Sequence, residues 1–228
     1  MRIAIVVPVL NEASIVAEAL QRLMPLRRRG AVVVVVDGGS TDGTLERAQP
    51  LADIALRAPR GRGAQMNAGL AAFGVDVDAA VFLHADTRLP DDADQLIADA
   101  LVDARWGRFD VHIDGRSPWL RMVAAAMNLR SRITSVCTGD QALFARLDLL
   151  RDLRGFAEIP LMEDIEFSRR ARRIARPAAI RTPVRTSGRR WDRHGVWRTI
   201  VLMWELRLRY FLGDDPARLA RRYRATRS

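Results

Sequence analysis

Five consecutive valines at 32–36, followed by Asp37 and two glycines, constrain the fold of this chain more than any other segment. A continuous β-branched run predicts a strand buried on both faces, which is typical of a parallel sheet covered by helices. The runs at 3–9 and 79–83 have the same character, and a weaker one lies at 53–56. Helical segments separate these runs, so the first half predicts a β-α-β alternation in a Rossmann-like sheet.

The second half predicts further elements with less regular spacing. Ser117 and Pro118 favour a helix start before the apolar segment 119–133, because proline suits the first helical position. Other predicted helices lie at 15–23, 147–153, 163–174 and 196–212, and other predicted strands at 109–113, 141–145 and 178–182. The sequence therefore predicts a mixed, mostly parallel α/β domain at 1–195, with a helical extension at 196–228 packed on it.

Charge and composition narrow the environment of the protein. All 37 basic residues are arginines and the formal net charge is +10, which indicates attraction to phosphate on a nucleotide, a nucleic acid or a lipid. The single cysteine, Cys137, excludes an internal disulfide. No apolar run is long enough to span a bilayer, and the N-terminus does not resemble a signal peptide. We expect a cytoplasmic protein that can touch the inner membrane.

Polar clusters follow three of the predicted strands and begin one predicted helix. They lie at 8–12, 37–42, 84–86 and 163–164. Ligands of open α/β sheets bind beyond the carboxyl ends of the strands, so this order predicts a nucleotide-diphosphate site.

The first two clusters would lie side by side in a parallel sheet. Asp37 either accepts hydrogen bonds from a base or ribose, or caps the glycine turn at Gly38. Glu12, after Asn11, either binds the ribose hydroxyls or complements the N-terminus of the first helix.

The remaining clusters suit phosphate, metal and proton transfer. The loop holding Arg60 and Arg62 either approaches a diphosphate or is a solvated turn. His84 and Asp86 point the same way on an extended chain, so both can face Mg²⁺ or Mn²⁺. Alternatively, His84 is a core histidine and Asp86 caps a turn.

Glu163 and Asp164 also have two interpretations. They either complement the dipole of the helix that they begin, or supply a general base that takes a proton from an acceptor hydroxyl. The polar turn at 138–141 can position that acceptor.

Taken together and in this order, the motifs resemble those of the family 2 glycosyltransferases. They are PVLNE, VDGGSTDGT, RGRGAQMNAG, HADTRLP and the Glu163-Asp164 pair, within roughly residues 1–195. The resemblance implies a GT-A fold, a nucleotide-sugar donor of the UDP type, an Mn²⁺ or Mg²⁺ cofactor and an inverting single displacement.

The resemblance also assigns roles to individual residues. It makes Asp164 the base with Glu163 beside it, and Asp86 the metal-binding acid of the Asp-x-Asp motif, with His84 as a second candidate ligand next to it. The implied nucleotide-binding residues are Pro8, Asn11, Glu12, Asp37, Gly38, Arg60, Arg62 and Gln65. The implied acceptor-side residues are Gly139, Asp140, Gln141, Arg190 and Trp191.

Two departures from the family pattern affect these expectations. His84 replaces the first acid of the Asp-x-Asp motif. The Gln-x-x-Arg-Trp motif of processive members is present only as the segment SGRRW at 187–191, so we expect transfer of a single sugar. The motifs HADT, TGDQ and GVWRT also look like a small bacterial subgroup associated with radical SAM proteins and proposed to act in arsenosugar biosynthesis.

Other functions remain open. A nucleotidyltransferase would use a similar sheet, but it normally needs an N-terminal glycine-rich loop, which 8–12 lacks. A non-catalytic phosphate- or nucleic-acid-binding module would explain the charge, but the arginines are scattered over helices, and we expect no nucleic-acid partner. The aromatic face of helix 196–212 packs on the domain or on a second copy of the chain, or it docks on a membrane surface. The acceptor is either a small molecule or, if the helix docks on a membrane, a lipid-linked one.

Overall fold

The computed structural model describes residues 1–74 and 76–225, and within them eight strands form one sheet. The strands are β1 (Ile3–Val9), β2 (Val32–Asp37), β3 (Ile54–Arg57), β4 (Ala79–Phe82), β5 (Thr87–Arg88), β6 (Trp106–Asp114), β7 (Phe144–Arg146) and β8 (Ala178–Ser187). The helices are α1 (Val16–Gln21), α2 (Met24–Arg28), α3 (Thr44–Ala48), α4 (Arg62–Ala72), α5 (Ala93–Asp103), α6 (Trp119–Thr134), α7 (Leu147–Asp152), α8 (Glu163–Ile174), α9 (Arg189–His194), α10 (Val196–Phe211) and α11 (Pro216–Ala225).

The order of the strands is β3-β2-β1-β4-β7-β6-β8-β5. The first four in this order pair in parallel, β7 is antiparallel to both of its neighbours, and β6 and β8 are parallel. This confirms the predicted mixed, mostly parallel α/β sheet. The chain moves outward from β1 to β3 and then returns to place β4 on the other side of β1. A crevice for ligands is expected at that switch point.

Burial on both faces explains the continuous apolar runs of the central strands. In β1, Ile5 and Val7 face a core formed with α1, α2, α5 and α6, whereas Val6 faces the opposite side. There it meets Val34 of β2 and side chains of α4, α7 and α8. A strand with no solvent-facing side has no polar alternation, which is the pattern seen in the sequence.

Several elements differ from the sequence expectations. The helix predicted at 15–23 ends at Gln21, and a separate short helix, α2, begins at Met24. Pro25 lies in the first turn of α2, because proline is disfavoured inside a continuous helix. The strand expected at 141–145 begins only at Phe144, since a 3₁₀ turn occupies Gly139–Gln141. Helices α5 and α9 were not predicted, α11 lies within the predicted helical extension at 196–228 without having been predicted as a separate helix, and β8 extends to Ser187.

The last two helices pack beside the start of α8. Leu206 of α10 and Leu219 of α11 share an apolar cluster with Val136, Met162 and Ile165. The C-terminal helices therefore contact the segment that carries Glu163 and Asp164. A domain boundary at residue 195 stays a prediction.

Gly107 tests how tightly β6 fits between its neighbours. A Cβ atom there would lie 2.6 Å from the Phe144 ring and 2.7 Å from the carbonyl oxygen of Ala178, which is backbone and cannot move alone. We expect Gly107→Ala to lower the free energy of unfolding by about 1–3 kcal/mol in urea denaturation. At Gly74 a Cβ meets nothing within 4 Å, so Gly74→Ala is the control. Equal losses in the two variants would contradict this packing.

Candidate active site

The loops that follow β1 and β2 are joined by hydrogen bonds. Asn11, which has a φ of 54°, donates its backbone N–H to Ser40 Oγ at 2.8 Å. Its side-chain oxygen accepts the N–H of Thr41 at 3.0 Å, and the N–H of Glu12 donates to Thr44 Oγ1 at 2.8 Å. The structure therefore brings the first two predicted clusters together as one connected surface at the carboxyl edge of the sheet.

Asp37 lies beneath this surface as a turn cap. Its carboxylate is 0% exposed and accepts the N–H of Gly39 at 3.1 Å, the N–H of Ser40 at 3.0 Å and the Ser40 hydroxyl. Arg57 Nε lies 3.9 Å from Asp37 Oδ2. The capping interpretation therefore describes the structure, and contact with a nucleotide base stays a prediction.

Gln65 has a structural role that the sequence did not reveal. Its buried amide nitrogen donates to the carbonyl oxygens of Val9 and Val36, at 2.9 and 2.8 Å. The side chain lies against Gly38, where a Cβ would be 3.0 Å from Gln65 Cδ. Pro8 is held within β1, opposite Val36. Gln65 thus fastens α4 to the ends of the two strands that carry the site.

A cleft of about 940 Å³ opens at this edge of the sheet. Its lining includes Asn11, Glu12, Arg60, Asp86 and Arg190. The Asp86 side chain is 35% exposed, and the Arg189 guanidinium approaches it to 3.9 Å. Residues predicted to bind nucleotide, metal and acceptor therefore meet in one cleft.

His84 connects β4 to the polar turn at 138–141. Its Nδ1 lies 3.3 Å from Asp140 Oδ1, and Gly139 packs so closely on the imidazole that a Cβ there would collide with it. Burial acts to raise the pKa of Asp140, but hydrogen bonding to His84 and the charges of His84, Arg62 and Arg190 outweigh it and lower that pKa.

Asp164 and Glu163 occupy different environments although they are adjacent. Asp164 accepts the N–H of Gly139 at 2.8 Å and the N–H of Ile165 at 2.7 Å. Glu163 is 5% exposed, and its burial together with the neighbouring Asp164 charge raises its pKa. The Arg62 guanidinium, 4.0 Å away, acts in the opposite direction. Glu163 therefore holds a proton more readily than an ordinary glutamate does.

Arg62 faces this pair, with its guanidinium 4.0 Å from the Glu163 carboxylate. Desolvation acts to lower the pKa of its guanidinium, but the nearby acidic groups, led by Glu163, outweigh it and raise that pKa. The guanidinium of Arg190 lies over the Tyr223 ring at 4.1 Å and donates to its hydroxyl. Tyr223 belongs to α11, at the far end of the predicted helical extension, and sequence reasoning did not single it out.

Two predicted acceptor-side residues have structural contacts. Gln141 is fully buried and donates from Nε2 to Ser131 Oγ at 3.1 Å, while its side-chain oxygen accepts the N–H of Thr138. Trp191 packs against the apolar core. Their direct contact with an acceptor stays a prediction, and the structure uses them to hold the surrounding segments.

The residues present fit a divalent cation that takes most of its ligands from phosphate groups and water rather than from side chains. Among the described residues, no group of three or more His, Cys, Asp or Glu side chains is placed to hold a metal. Mg²⁺ commonly uses one or two carboxylates together with phosphates and water, and the exposed carboxylate of Asp86 can supply one ligand. His84 Nδ1 faces Asp140, so Asp86 is the better supported ligand.

The switch-point cleft, strand-end carboxylates and arginine-rich lining define a class of α/β proteins that bind nucleotide-linked substrates. Residues 4–149 match the sequence profile of Glycosyl transferase family 2, and the chain belongs to this family. A curated relative, the succinoglycan biosynthesis protein ExoA of Rhizobium meliloti (strain 1021), is 40% identical over 106 residues. That match covers 43% of this chain and 32% of ExoA.

Solved glycosyltransferase structures share the fold. S. aureus TarS, in complex with UDP-GlcNAc, superposes with a TM-score of 0.64 at 21% identity, over 82% of this chain and 58% of that one. Mannosyltransferase PcManGT from Pyrobaculum calidifontis, with GDP-Man and Mn²⁺, gives 0.58 at 24% identity, over 82% and 56%. The predicted GT-A fold is confirmed, and the chain spans less than two thirds of ExoA and of either structure.

Glu163→Gln should change how stability depends on pH. The raised pKa means that the folded state holds the Glu163 proton more tightly than the unfolded state, whose pKa is about 4.3. The free energy of unfolding of the wild type therefore falls as pH rises from that value through the folded pKa. Glutamine imitates the neutral carboxyl and removes this loss. We expect the variant to gain stability relative to the wild type between pH 4 and pH 7, measured by urea denaturation.

Gln95→Ala, at an exposed position of α5 and without a titrating side chain, is the control. Its stability difference from the wild type should be the same at both pH values. A Glu163→Gln difference that is equally independent of pH would contradict the environment assigned to Glu163.

Proposed function

We propose that the chain is an inverting glycosyltransferase that moves one sugar from a nucleotide-diphosphate sugar to an acceptor hydroxyl, assisted by a divalent cation. The observation that carries this proposal is the cleft at the β1–β4 switch point, where Glu12 and Asp86 meet Arg60 and Arg190. A donor of the UDP type is the first candidate. TarS was solved with UDP-GlcNAc and PcManGT with GDP-Man, so both bases are tested below.

The arginines of the cleft match the charge of a nucleoside diphosphate. Arg60 and Arg190 line the cleft, and guanidinium groups bind phosphate oxygens through paired hydrogen bonds. Asn11 and Glu12, on the same lining, would bind the ribose. Asp86 would hold Mn²⁺ or Mg²⁺, which supplies positive charge to the diphosphate as it leaves.

Asp164 is the general base in this proposal. The acceptor oxygen bonds to the anomeric carbon, the bond from that carbon to the phosphate oxygen breaks, and Asp164 takes the proton of the acceptor. Hydrogen bonds from the N–H groups of Gly139 and Ile165 fix the orientation of its carboxylate. A single displacement inverts the configuration at the anomeric carbon.

Membership of the family favours this function over a nucleotidyltransferase and over a non-catalytic binding module. Transfer of a single sugar and a cytoplasmic location are part of the proposal and rest on the sequence. The narrower resemblance to the subgroup proposed for arsenosugar biosynthesis stays a prediction.

Nucleotide binding should depend on Asp86 and on metal. A ligand that binds only the native state raises the melting temperature. We expect one of UDP, GDP, CMP and dTDP to stabilise the protein with Mn²⁺ or Mg²⁺ and to lose that effect in EDTA. Asp86→Ala should lose the metal-dependent shift, whereas Asp99→Ala, at an exposed position on α5, should keep it. A full metal-dependent shift in Asp86→Ala would remove Asp86 from the metal site.

Asp164→Asn should separate binding from chemistry. With the nucleotide sugar of the base identified above, release of nucleoside diphosphate should fall about 10²–10⁴-fold, which is the usual contribution of a general base. The melting shift by the nucleotide should remain. Asp103→Asn, exposed on α5, serves as the control. Turnover within about twofold of the wild type in Asp164→Asn would show that another group is the base.

A further inference from the structure

A second, largely apolar groove lies between α6, α8 and α10, apart from the lining of the cleft described above. It encloses about 680 Å³. Its apolar lining residues are Val136, Ile165, Val201, Trp204, Leu208 and Phe211. The side chains of Trp204 and Leu208 are 73% and 60% exposed, so the outer wall offers apolar surface to an occupant.

Two arginines that line the same groove carry buried nitrogen atoms with no hydrogen-bond partner in the part of the chain that the structure describes. Nε and Nη2 of Arg130, on α6, and Nη2 of Arg207, on α10, are buried and have no hydrogen-bond partner among the described residues. Within that part of the chain, neither side chain forms an ion pair with a carboxylate at 4.0 Å or less. Buried donors without acceptors destabilise a folded protein, so a bound acceptor group would relieve this cost.

The two guanidinium groups also repel each other. Burial, and after it the charge of Arg207, lowers the pKa of Arg130 to about 10, and burial lowers the pKa of Arg207. Arg130 therefore still carries its charge at neutral pH. Asp164 acts in the opposite direction on both arginines, so the pair lies within electrostatic range of the proposed base.

The apolar surface continues along both helices beyond the groove. Trp119 of α6 and Trp197 of α10 are exposed and their rings lie 5.7 Å apart. The other large exposed apolar side chains of the two helices are Met122, Leu129, Ile133, Val201, Trp204, Leu208 and Phe211. No helix in the described ranges is long and apolar enough to cross a bilayer.

We propose that this groove binds the acceptor, and that the acceptor is an amphipathic phosphate-bearing lipid. Its apolar chain lies along Trp204 and Leu208, its phosphate lies between Arg130 and Arg207, and its hydroxyl-bearing head extends toward Asp164. The proposal rests on the glycosyltransferase function proposed above and names the class of its acceptor.

Charge and shape favour this occupant over two others. A second copy of the chain carries a net charge of +10 and would bring like charge to the arginine pair. A small soluble anion would pair with the arginines but leave the apolar walls of Trp204, Leu208 and Phe211 exposed to water. A lipid phosphate satisfies both parts of the groove at once.

Dodecyl phosphate, kept below its micelle concentration, is the probe for this groove. Isothermal titration calorimetry of the full chain, without nucleotide, should show binding at least about tenfold tighter than that of dodecanol or of inorganic phosphate. Charge-assisted hydrogen bonds and apolar burial both contribute only to the first ligand. Equal affinity for dodecanol would show an apolar site alone, and equal affinity for inorganic phosphate would show a site for a soluble anion. Either result would overturn the proposal.

Substitution of each arginine tests whether the pair binds the phosphate. Arg130→Gln and Arg207→Gln should each weaken dodecyl phosphate at least about tenfold and leave dodecanol unchanged. Arg198→Gln is the matched control, because Arg198 is exposed on α10 and is not part of the groove lining. An equal loss in Arg198→Gln would reduce the effect to general surface charge and overturn the assignment.

Two further measurements separate this inference from the proposed function. The nucleotide-induced melting shift of Arg207→Gln should equal that of the wild type, so loss of lipid binding alone would be specific to the groove. Dodecyl phosphate binding without any nucleotide shift would leave the groove assigned and the transferase function rejected. A dimer in light scattering that dissociates in Trp204→Asp would place a second copy in the groove and overturn the proposal.

Discussion

The site depends on the parallel pairing of β1 with β2 on one side and with β4 on the other. Because β2 and β4 lie on opposite sides of β1, the loops that follow β1 and β4 turn away from each other at the carboxyl edge of the sheet and leave an opening between them. Asn11 and Glu12 leave on one side of the opening and Asp86 on the other. Without β1 in the middle, these side chains would not line a common cleft.

Buried polar groups then fix the loops around that opening. Gln65 satisfies two strand-end carbonyl groups, and Asp37 satisfies the N–H groups of Gly39 and Ser40. Each would be costly to bury without these partners, so the loops are restricted to conformations that provide them. Gly139 also connects two parts of the site. Its N–H donates to Asp164 and orients that carboxylate, while its α-carbon packs on His84.

The sequence predicted features that depend on local pattern. Valines 32–36 predicted β2, and a strand followed directly by His84 and Asp86 predicted polar side chains at its carboxyl end. Features that depend on packing between distant segments were missed. Gln141 is polar but fully buried beside Ser131, and Tyr223 meets Arg190 only because α11 folds back over the domain. Neither contact can be predicted from periodicity or spacing, because each joins residues of two different structural elements that meet only when the chain folds.

The arginines near Asp164 fall into two sets with different environments. Arg62 approaches Glu163 and is stabilised in its charged form by carboxylates. Among the described residues Arg130 and Arg207 form no ion pair with a carboxylate, and burial lowers the pKa of both beside the apolar groove, although Asp164 acts in the opposite direction. A general base for sugar transfer must lie where the bound donor and the bound acceptor meet. Asp164 lies within electrostatic range of both sets. Under the two proposals above, separate phosphate groups of donor and acceptor would be held apart while the sugar passes between them.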